Sequence, residues 1–308
     1  MHKTRGFGKS ERAVAYGDFL VGVEELRGHL RDPQWRVVDC RFELSKPDKG
    51  YFDYLAGHIP GAVYAHLDHD LAAPVTAYTG RHPLPGPDVF SRTLGRLGIA
   101  RDTHVIAYDQ ASGAIAARLW WMLRWMGHPS VRLLDGGFEA WRRRGLPREM
   151  ETPLVEAVRY VGEPDDSMVL TTAEVENALE SGFPLVLVDA RDAARFEGRT
   201  EPIDTVAGHV PGARNFPFGS SLTAEGYWRS GGELRKAWED LPGGPSTGAE
   251  NGSWAAMCGS GVTACHLAVS AGLAGLTQPR LYAGSWSEWI RDAGRSVATG
   301  PAADADRG

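Results

Sequence analysis

Four short motifs occur twice in this chain of 308 residues, in the same order and roughly 150 residues apart. The pairs are VVDCR (37–41) with LVDAR (187–191), GHIPGA (57–62) with GHVPGA (208–213), VIAYDQ (105–110) with WAAMCG (254–259), and LLDGGFEAW (133–141) with LYAGSWSEW (281–289). Ordered self-similarity of this kind marks a repeated structural unit. The sequence therefore predicts a tandem duplication of one fold, with about 130 residues in each copy.

Short apolar runs alternate with segments of helical periodicity in both copies. WRVVDCR and LVLVDAR are β-branched runs that end in polar residues, as buried parallel strands do. DVFSRTLGRLGI and AIAARLWWMLRWMG have apolar residues at helical spacing. This alternation predicts an α/β protein with two tandem domains, each a parallel sheet flanked by helices. In such sheets the active loops follow the carboxyl ends of strands, which is where Asp109 and Cys258 lie.

The predicted organisation has four parts, which are an N-terminal domain at 16–148, a linker at 149–168, a C-terminal domain at 169–297 and a disordered tail at 298–308. The tail is small and polar, as disordered termini are. The Gly/Pro-rich stretch at 242–252 predicts a mobile loop. The Trp-rich run LWWMLRWM at 119–126 predicts a core helix between the sheet and the partner domain.

The composition is that of a globular protein, with 43% hydrophobic residues, 23% charged residues and a formal net charge of −6. This mild acidity argues against nucleic acid as the main partner, because phosphate binding needs a clustered basic surface. No apolar run reaches the length of a membrane span, and the N-terminus has no signal-peptide pattern. Cys40, Cys258 and Cys265 are too few for a disulfide framework and favour a reducing, cytoplasmic compartment. We expect Cys40 and Cys265 to be core residues, with a resolving thiol as the alternative for Cys265.

Cys258 heads the stretch CGSGVTAC, between a predicted strand and a predicted helix. Residues 259–264 match the dinucleotide fingerprint G-x-G-x-x-G/A, but the next strand ends at Ala283 without the carboxylate that would bind a ribose. A cysteine phosphatase needs an arginine six residues after the thiol to clamp the phosphoryl oxygens. That position is Ala264, so neither chemistry fits the loop.

A third chemistry uses only what the loop contains. Successive backbone N–H groups ahead of a helix form an anion cradle, and such a site favours the thiolate form of a cysteine. The predicted cradle consists of Gly259, Ser260, Gly261, Val262, Thr263 and Ala264. The two glycines permit a tight curl, and Thr263 is placed to cap the helix that begins near Ala264. A thiolate held in this way can accept a sulfur atom and carry it as a persulfide to a second thiol.

The CGSGVTA loop, the paired D-x-R and GH[IV]PGA motifs and the GSWSEW segment together resemble the tandem-domain rhodanese family of sulfurtransferases, over about residues 18–295. The resemblance implies a catalytic C-terminal copy with a persulfide on Cys258. It implies a non-catalytic N-terminal copy, because Asp109 stands at the cysteine position. It also implies a small-molecule sulfur donor and a thiol acceptor such as thioredoxin, without a cofactor or a metal.

Family members that prefer thiosulfate carry basic residues directly after the cysteine, whereas this loop has Gly259 and Ser260. That pattern is similar to members that use 3-mercaptopyruvate, a monoanion, and a dianion is costly to desolvate without cations nearby. We therefore expect a sulfurtransferase that takes sulfur from 3-mercaptopyruvate and releases pyruvate. Thiosulfate sulfurtransferase and protein-to-protein persulfide carrier are the alternatives.

The resemblance also implies which residues bind the donor. Arg191 matches the family's substrate-binding arginine, and a guanidinium fork suits a carboxylate. Arg41 occupies the same place in the first copy, so an architectural pair with Asp189 is the alternative. Arg195 is either a second anchor or a member of a surface ion pair. His82, in GRHPLP, matches a histidine that faces the active cleft.

Two departures from the family pattern affect these expectations. His66 stands where some members carry an aspartate, with Asp68 nearby, so the sequence leaves an Asp–His–Ser proton relay incomplete. Ser260 either polarises the donor carbonyl or is only a loop hydroxyl. Ala283 replaces an aspartate that is common in relatives, which we expect to loosen the support of the loop.

Overall fold

A computed structural model describes residues 16–182, 185–245 and 254–302, and each copy of the repeat forms a five-stranded parallel sheet flanked by helices. The first copy contains β1 (Leu20–Val21), α1 (Val23–His29), β2 (Trp35–Asp39), α2 (Lys49–Ala56), β3 (Val63–Tyr64), α3 (Leu67–Asp70), α4 (Pro87–Arg96), β4 (His104–Tyr108), α5 (Ala116–Trp125), β5 (Val131–Leu134) and α6 (Gly137–Arg143). The second contains β6 (Val169–Leu170), α7 (Thr172–Ser181), β7 (Val186–Asp189), α8 (Ala193–Phe196), β8 (Arg214–Asn215), α9 (Gly231–Glu239), β9 (Trp254–Met257), α10 (Ala264–Ala274), β10 (Arg280–Tyr282) and α11 (Ser285–Trp289).

The two sheets have the same strand order, β1-β5-β4-β2-β3 and β6-β10-β9-β7-β8, and all of their strand pairs are parallel. This order confirms the predicted α/β fold of two tandem domains. The central strands, β4 and β9, end directly before Asp109 and Cys258 respectively. Both positions therefore lie at the carboxyl edge of a sheet, where such folds place their active loops.

The interface between the two copies is a shared apolar core. Helices α5 and α10 pack against each other, and one continuous cluster of buried side chains includes Trp121 of α5 and Leu267 of α10. Trp121 is only 1% exposed, which confirms the predicted core helix at 119–126. Because α5 and α10 each follow one of the two loops, the interface brings the loops of both copies close together.

The segments outside the sheets agree only in part with the predictions. Between 149 and 165, in the predicted linker, the chain has no helix or strand. Residues 298–302 do not form the expected disordered tail, because the main chain of Ala298 pairs with that of His209. The boundaries at 148 and 169 stay a prediction. The remaining tail, the N-terminal segment and most of the predicted mobile loop lie outside the described residues, at 303–308, 1–15 and 246–252.

None of the helices in the described part of the chain has the length and apolar character needed to cross a bilayer.

Candidate active site

The backbone of Cys258 is held by the segment that begins α11. The Cys258 N–H donates to Ser285 Oγ at 3.1 Å. The N–H groups of Trp286 and Ser287 donate to the carbonyls of Cys258 and Gly259, at 3.0 and 2.9 Å. The GSWSEW segment therefore holds the backbone of the first two residues of the loop.

Ser285 is not among the predicted site residues, although the repeat contains a signal for it. It has a left-handed backbone, with φ 54°, whereas the first copy has Gly137 at this position with φ 56°. A non-glycine residue in this region is uncommon and persists when the surrounding structure requires it. The second copy thus keeps a conformation that suits glycine and uses it to present a serine hydroxyl to the Cys258 amide.

Gly261 allows the loop to pack directly on the main chain of Ala283, the residue after β10. It has φ 76°, and a Cβ at this position would lie 2.4 Å from the carbonyl oxygen of Ala283. Since the contact is with main-chain atoms of Ala283, a side-chain change at 283 does not remove it. The expectation that alanine here loosens the loop has no support in these contacts.

The loop geometry favours an anion at the position of the cysteine. The Ser260 N–H points at Cys258 Sγ, with N and S 3.5 Å apart. In the first copy, the Asp109 carboxylate accepts hydrogen bonds of 2.8–3.2 Å from the backbone N–H groups of Ala111, Gly113, Ile115 and Ala116. The first copy therefore shows this loop holding a negative charge with its amides alone. Helix α10 begins at Ala264 as expected, but the Thr263 side chain makes no capping hydrogen bond, so that part of the prediction is wrong.

Cys258 opens into a cavity of about 200 Å³ between the two copies. The residue as a whole is only 2% exposed, so the thiol meets this cavity rather than the outer surface. Both copies supply apolar walls, which include Phe42, Leu67, Ile115, Ile203 and Phe218. The volume fits a small molecule, and the first copy forms part of the site although it has no cysteine of its own there.

Two guanidinium groups, one from each copy, meet above Gly259. A Cβ on Gly259 would lie 2.8 Å from Arg81 Nη2 and 3.7 Å from both terminal nitrogens of Arg195. The carboxylate of Asp204 pairs with both arginines, and Glu201 also pairs with Arg195 at 2.8 Å. Arg195 therefore faces the loop while it pairs with two buried carboxylates, and its role as a second anchor stays a prediction. Glycine at 259 leaves room for both cations.

Arg81 is a site residue that the sequence interpretation misses. Its position is fixed across the interface, because the backbone N–H of Arg81 donates to Ser287 Oγ at 3.0 Å. Its Nε–H is buried and has no hydrogen-bond partner among the described residues, so it is a donor available to an anion. The signal was its place beside His82 in GRHPLP, but only the packing of the two copies shows that it reaches the loop.

A hydrogen-bonded chain of three side chains leads to the cysteine loop. His82 Nδ1 lies 2.7 Å from Ser260 Oγ, and His82 Nε2 lies 3.1 Å from Asp68 Oδ1. Burial lowers the pKa of His82, and the hydrogen bond from His82 lowers the pKa of Asp68. The ring is therefore neutral near pH 7, with Nε2–H donating to Asp68 and Nδ1 accepting from the Ser260 hydroxyl. Asp68, two residues after His66, completes the hydrogen-bonded Asp–His–Ser chain that the sequence leaves incomplete.

Comparison with known proteins agrees with the fold. The family model described as the rhodanese-like domain matches residues 22–144 and again 171–292. The chain belongs to the rhodanese family.

Individual relatives of this rhodanese include proteins named for two different sulfur donors. A Pseudomonas aeruginosa protein named "Probable 3-mercaptopyruvate sulfurtransferase" is 43% identical, over 91% of this chain and 98% of that protein. A thiosulfate sulfurtransferase of Cricetulus griseus is 34% identical, over 88% of this chain and 90% of that protein. Among solved structures, the 3-mercaptopyruvate sulfurtransferase from Leishmania major has a TM-score of 0.78 and 32% identity, covering 89% of this chain and 75% of that one.

Arg191 occupies an architectural corner of the rhodanese domain. It contacts both carboxylate oxygens of Asp189, at 2.7–3.2 Å, and donates to the carbonyl of Gly208 at 2.8 Å. Its side chain is only 1% exposed. Arg41 repeats these contacts with Asp39 and Gly57. Although Arg191 borders the cavity, most of its donors are already used, so the alternative of a structural pair fits it better than donor binding.

Replacing Arg191 by methionine should therefore reduce stability. The change leaves the buried Asp189 carboxylate without its cation, and breaking a buried pair in this way costs about 3–5 kcal/mol. We expect Arg41→Met to cost a similar amount, since the two arginines have matching partners. Urea denaturation of both variants measures this. A folded Arg191→Met protein of unchanged stability and a raised KM would instead make Arg191 a donor anchor.

The other two cysteines of this rhodanese are core residues, as expected. Cys40 and Cys265 are fully buried, and burial raises the pKa of Cys265 to about 12. Within the described ranges, no three His, Cys, Asp or Glu side chains form a group that could hold a metal ion.

Proposed function

We propose that this rhodanese is a sulfurtransferase that takes sulfur from 3-mercaptopyruvate through a persulfide on Cys258. The observation that supports it is the convergence on one small cavity of a thiol, two guanidinium groups and a hydrogen-bonded Asp–His–Ser chain. The name of the Pseudomonas aeruginosa relative favours the same donor. Each group has a separate task in the transfer.

The first task is to bind the donor with its sulfur against Cys258. Arg195 and Arg81 meet above Gly259, and their guanidinium groups can bind the donor's carboxylate and carbonyl oxygens. The Cys258 thiolate then attacks the donor sulfur, so that an S–S bond forms as the C–S bond breaks. The electron pair of the broken bond goes to carbon, which leaves as the enolate of pyruvate.

The second task is to supply a proton to this enolate. Neutral His82 accepts at Nδ1, through the Ser260 hydroxyl, the proton that the donor's thiol group loses, and the same hydroxyl then delivers a proton to the enolate carbon. Asp68 holds the ring in the tautomer that makes this possible. The proton on the donor's own thiol balances the reaction, and pyruvate is released.

Replacing His82 by asparagine should lower kcat by about a hundredfold, the usual loss when a general acid–base group is removed. Because burial lowers the pKa of His82, the wild-type kcat should fall only at pH values below the usual histidine pKa of about 6.5. His82→Asn should lose this acid limb. His69→Asn, at an exposed neighbouring histidine, is the control for general effects. An unchanged pH profile in His82→Asn would remove the relay from the mechanism.

The acceptor is a second thiol, and thioredoxin is the acceptor that we propose. An attacking thiolate takes the outer sulfur and Cys258 leaves as thiolate, which restores the enzyme. Because the thiol faces a cavity and not the outer surface, the acceptor has to insert its sulfur between the two copies. The free state of all three cysteines is consistent with a reducing, cytoplasmic setting.

Arg81 also favours thiosulfate as a second donor. The loop itself carries no charge after Cys258, but the structure brings a cation to Gly259 from the other copy, in addition to Arg195. Two guanidinium groups offset the desolvation of a dianion better than one. Transfer from thiosulfate forms the same persulfide and releases sulfite.

Steady-state turnover with each donor tests the proposal, with pyruvate or sulfite as the measured product. We expect turnover with 3-mercaptopyruvate to have the higher kcat/KM. A higher kcat/KM with thiosulfate would reverse the assignment of the donor. If neither donor is turned over while a protein persulfide loads Cys258, the chain is a sulfur carrier.

A further inference from the structure

Arg118, in the first copy, is a fully buried cation that contacts the Cys258 loop. Its Nη1 donates to the carbonyl of Gly261 at 3.1 Å and its Nη2 to the carbonyl of His82 at 3.0 Å. Its Nε donates to the carbonyl of Leu71 at 3.3 Å. One side chain thus joins the cysteine loop to the segment that carries the relay histidine.

The positive charge of Arg118 has no carboxylate partner. Among the described residues, no Asp or Glu oxygen lies within 4.0 Å of its guanidinium, and the side chain is 0% exposed. A buried charge is costly unless an opposite charge compensates it. Burial lowers the pKa of Arg118, but arginine starts above 12 and stays protonated.

In the described part of the chain, two thiols are the groups that interact with Arg118 and can become negative. Cys265 and Cys258 both interact electrostatically with it. Burial raises the pKa of Cys265 to about 12, so that thiol keeps its proton at neutral pH. This leaves the sulfur at Cys258, as thiolate or as persulfide, to compensate the buried cation.

The first copy provides an internal comparison. His266 is the third residue of α10, as Arg118 is the third residue of α5, and its Nε2 lies 3.0 Å from the carbonyl of Ser112. Ser112 corresponds to Gly261 in the repeat, so the two helices exchange equivalent contacts across the interface. Burial lowers the pKa of His266 to about 3, which makes it neutral. Neutral His266 therefore faces the Asp109 loop, where four backbone amides already bind the carboxylate. Cationic Arg118 faces the Cys258 loop, which carries the sulfur.

We propose that Arg118 is a positioning residue of the C-terminal site, and that its charge stabilises the anionic sulfur on Cys258 across the domain interface. The inference rests on the proposed role of Cys258 as the sulfur carrier. It gives the copy without the cysteine an electrostatic function in addition to forming one wall of the cavity.

The test is the alkylation of Cys258 by iodoacetamide, followed by mass spectrometry over a range of pH. Arg118→Gln keeps a hydrogen-bond donor and removes the charge, whereas Arg118→Lys keeps the charge. We expect Gln to slow alkylation at pH 7 at least tenfold and to move the profile to higher pH, and Lys to stay within about threefold of wild type. The other ionisable groups that line the cavity or interact with the sulfur are the same in all variants: Arg81, His82, Arg191, Asp192, Arg195 and Cys265.

His266→Gln is the matched control in the other copy and should leave the alkylation of Cys258 unchanged. Equal profiles for wild type and a folded Arg118→Gln protein would overturn the inference. So would a Lys variant that reacts as slowly as the Gln variant, because the effect would then come from hydrogen bonding alone. If the Gln variant does not fold, the Lys variant decides: wild-type alkylation with a lower Tm supports the role of the charge, and slow alkylation contradicts it.

Alkylation needs no sulfur donor, so this result is separate from the turnover test. A protein that turns over neither donor but shows the Arg118 effect would overturn the proposed function and keep this inference. Normal turnover together with unchanged alkylation in Arg118→Gln would keep the proposed function and overturn this inference.

Discussion

Cys258→Ser should abolish turnover with either sulfur donor, lowering kcat by at least about a thousandfold. Loss of a covalent nucleophile has effects of this order or larger, and a serine hydroxyl cannot carry a sulfane sulfur. The backbone contacts of position 258 with the α11 segment come from Ser285 and Trp286 and do not involve the Cys258 side chain. We therefore expect the Tm to stay close to that of wild type.

Cys40→Ser is the control for this variant. Cys40 is also buried and directly follows a strand, β2, but it lies in the other copy. Cys40→Ser should keep wild-type kcat. Turnover of Cys258→Ser within tenfold of wild type would show that the reaction does not pass through this sulfur.

The second large effect is expected at Arg195. Arg195→Gln removes one of the two charges above Gly259, and loss of a charged donor from a closed site typically costs about 10²-fold or more in catalytic efficiency. We expect kcat/KM for 3-mercaptopyruvate to fall by about that factor, mainly through KM, because the side chain binds the donor's anionic end. Steady-state kinetics over a wide donor range separates the two constants.

Arg199→Gln is a matched control, since Arg199 lies on the same segment with an exposed side chain and pairs with Glu197. It should leave kcat/KM within about twofold of wild type, as surface ion pairs contribute little. Arg81→Gln should weaken thiosulfate more than 3-mercaptopyruvate, because the dianion needs both cations. Unchanged kinetics in Arg195→Gln would mean that its pairs with Glu201 and Asp204 are purely structural.

The repeat predicts the architecture well because the same motifs serve the same places in both sheets. VVDCR and LVDAR form β2 and β7, and the central strands end at Asp109 and Cys258 in both copies. The position of the nucleophile followed from this correspondence. A motif that marks a strand end in one copy therefore identifies the corresponding strand end in the other copy.

The rest of the site depends on how the copies pack against each other. Arg81 and Arg118 reach the loop from the first copy, and Asp68 is linked to it through His82. These residues lie about 140 positions or more before the loop, and spacing carries no information about such contacts. The sequence assigns Arg191 to the donor because it matches the substrate-binding arginine of the family and a guanidinium fork suits a carboxylate. The structure separates Arg191 from Arg195, since the guanidinium of Arg191 is held by Asp189 and that of Arg195 faces Gly259.

The most direct measurement is the mass of the intact protein after incubation with 3-mercaptopyruvate in the absence of an acceptor. Wild type should gain the mass of one sulfur atom, located by peptide mapping to Cys258, and should lose it when a thiol is added. No gain, or a gain that persists in Cys258→Ser, would contradict the account.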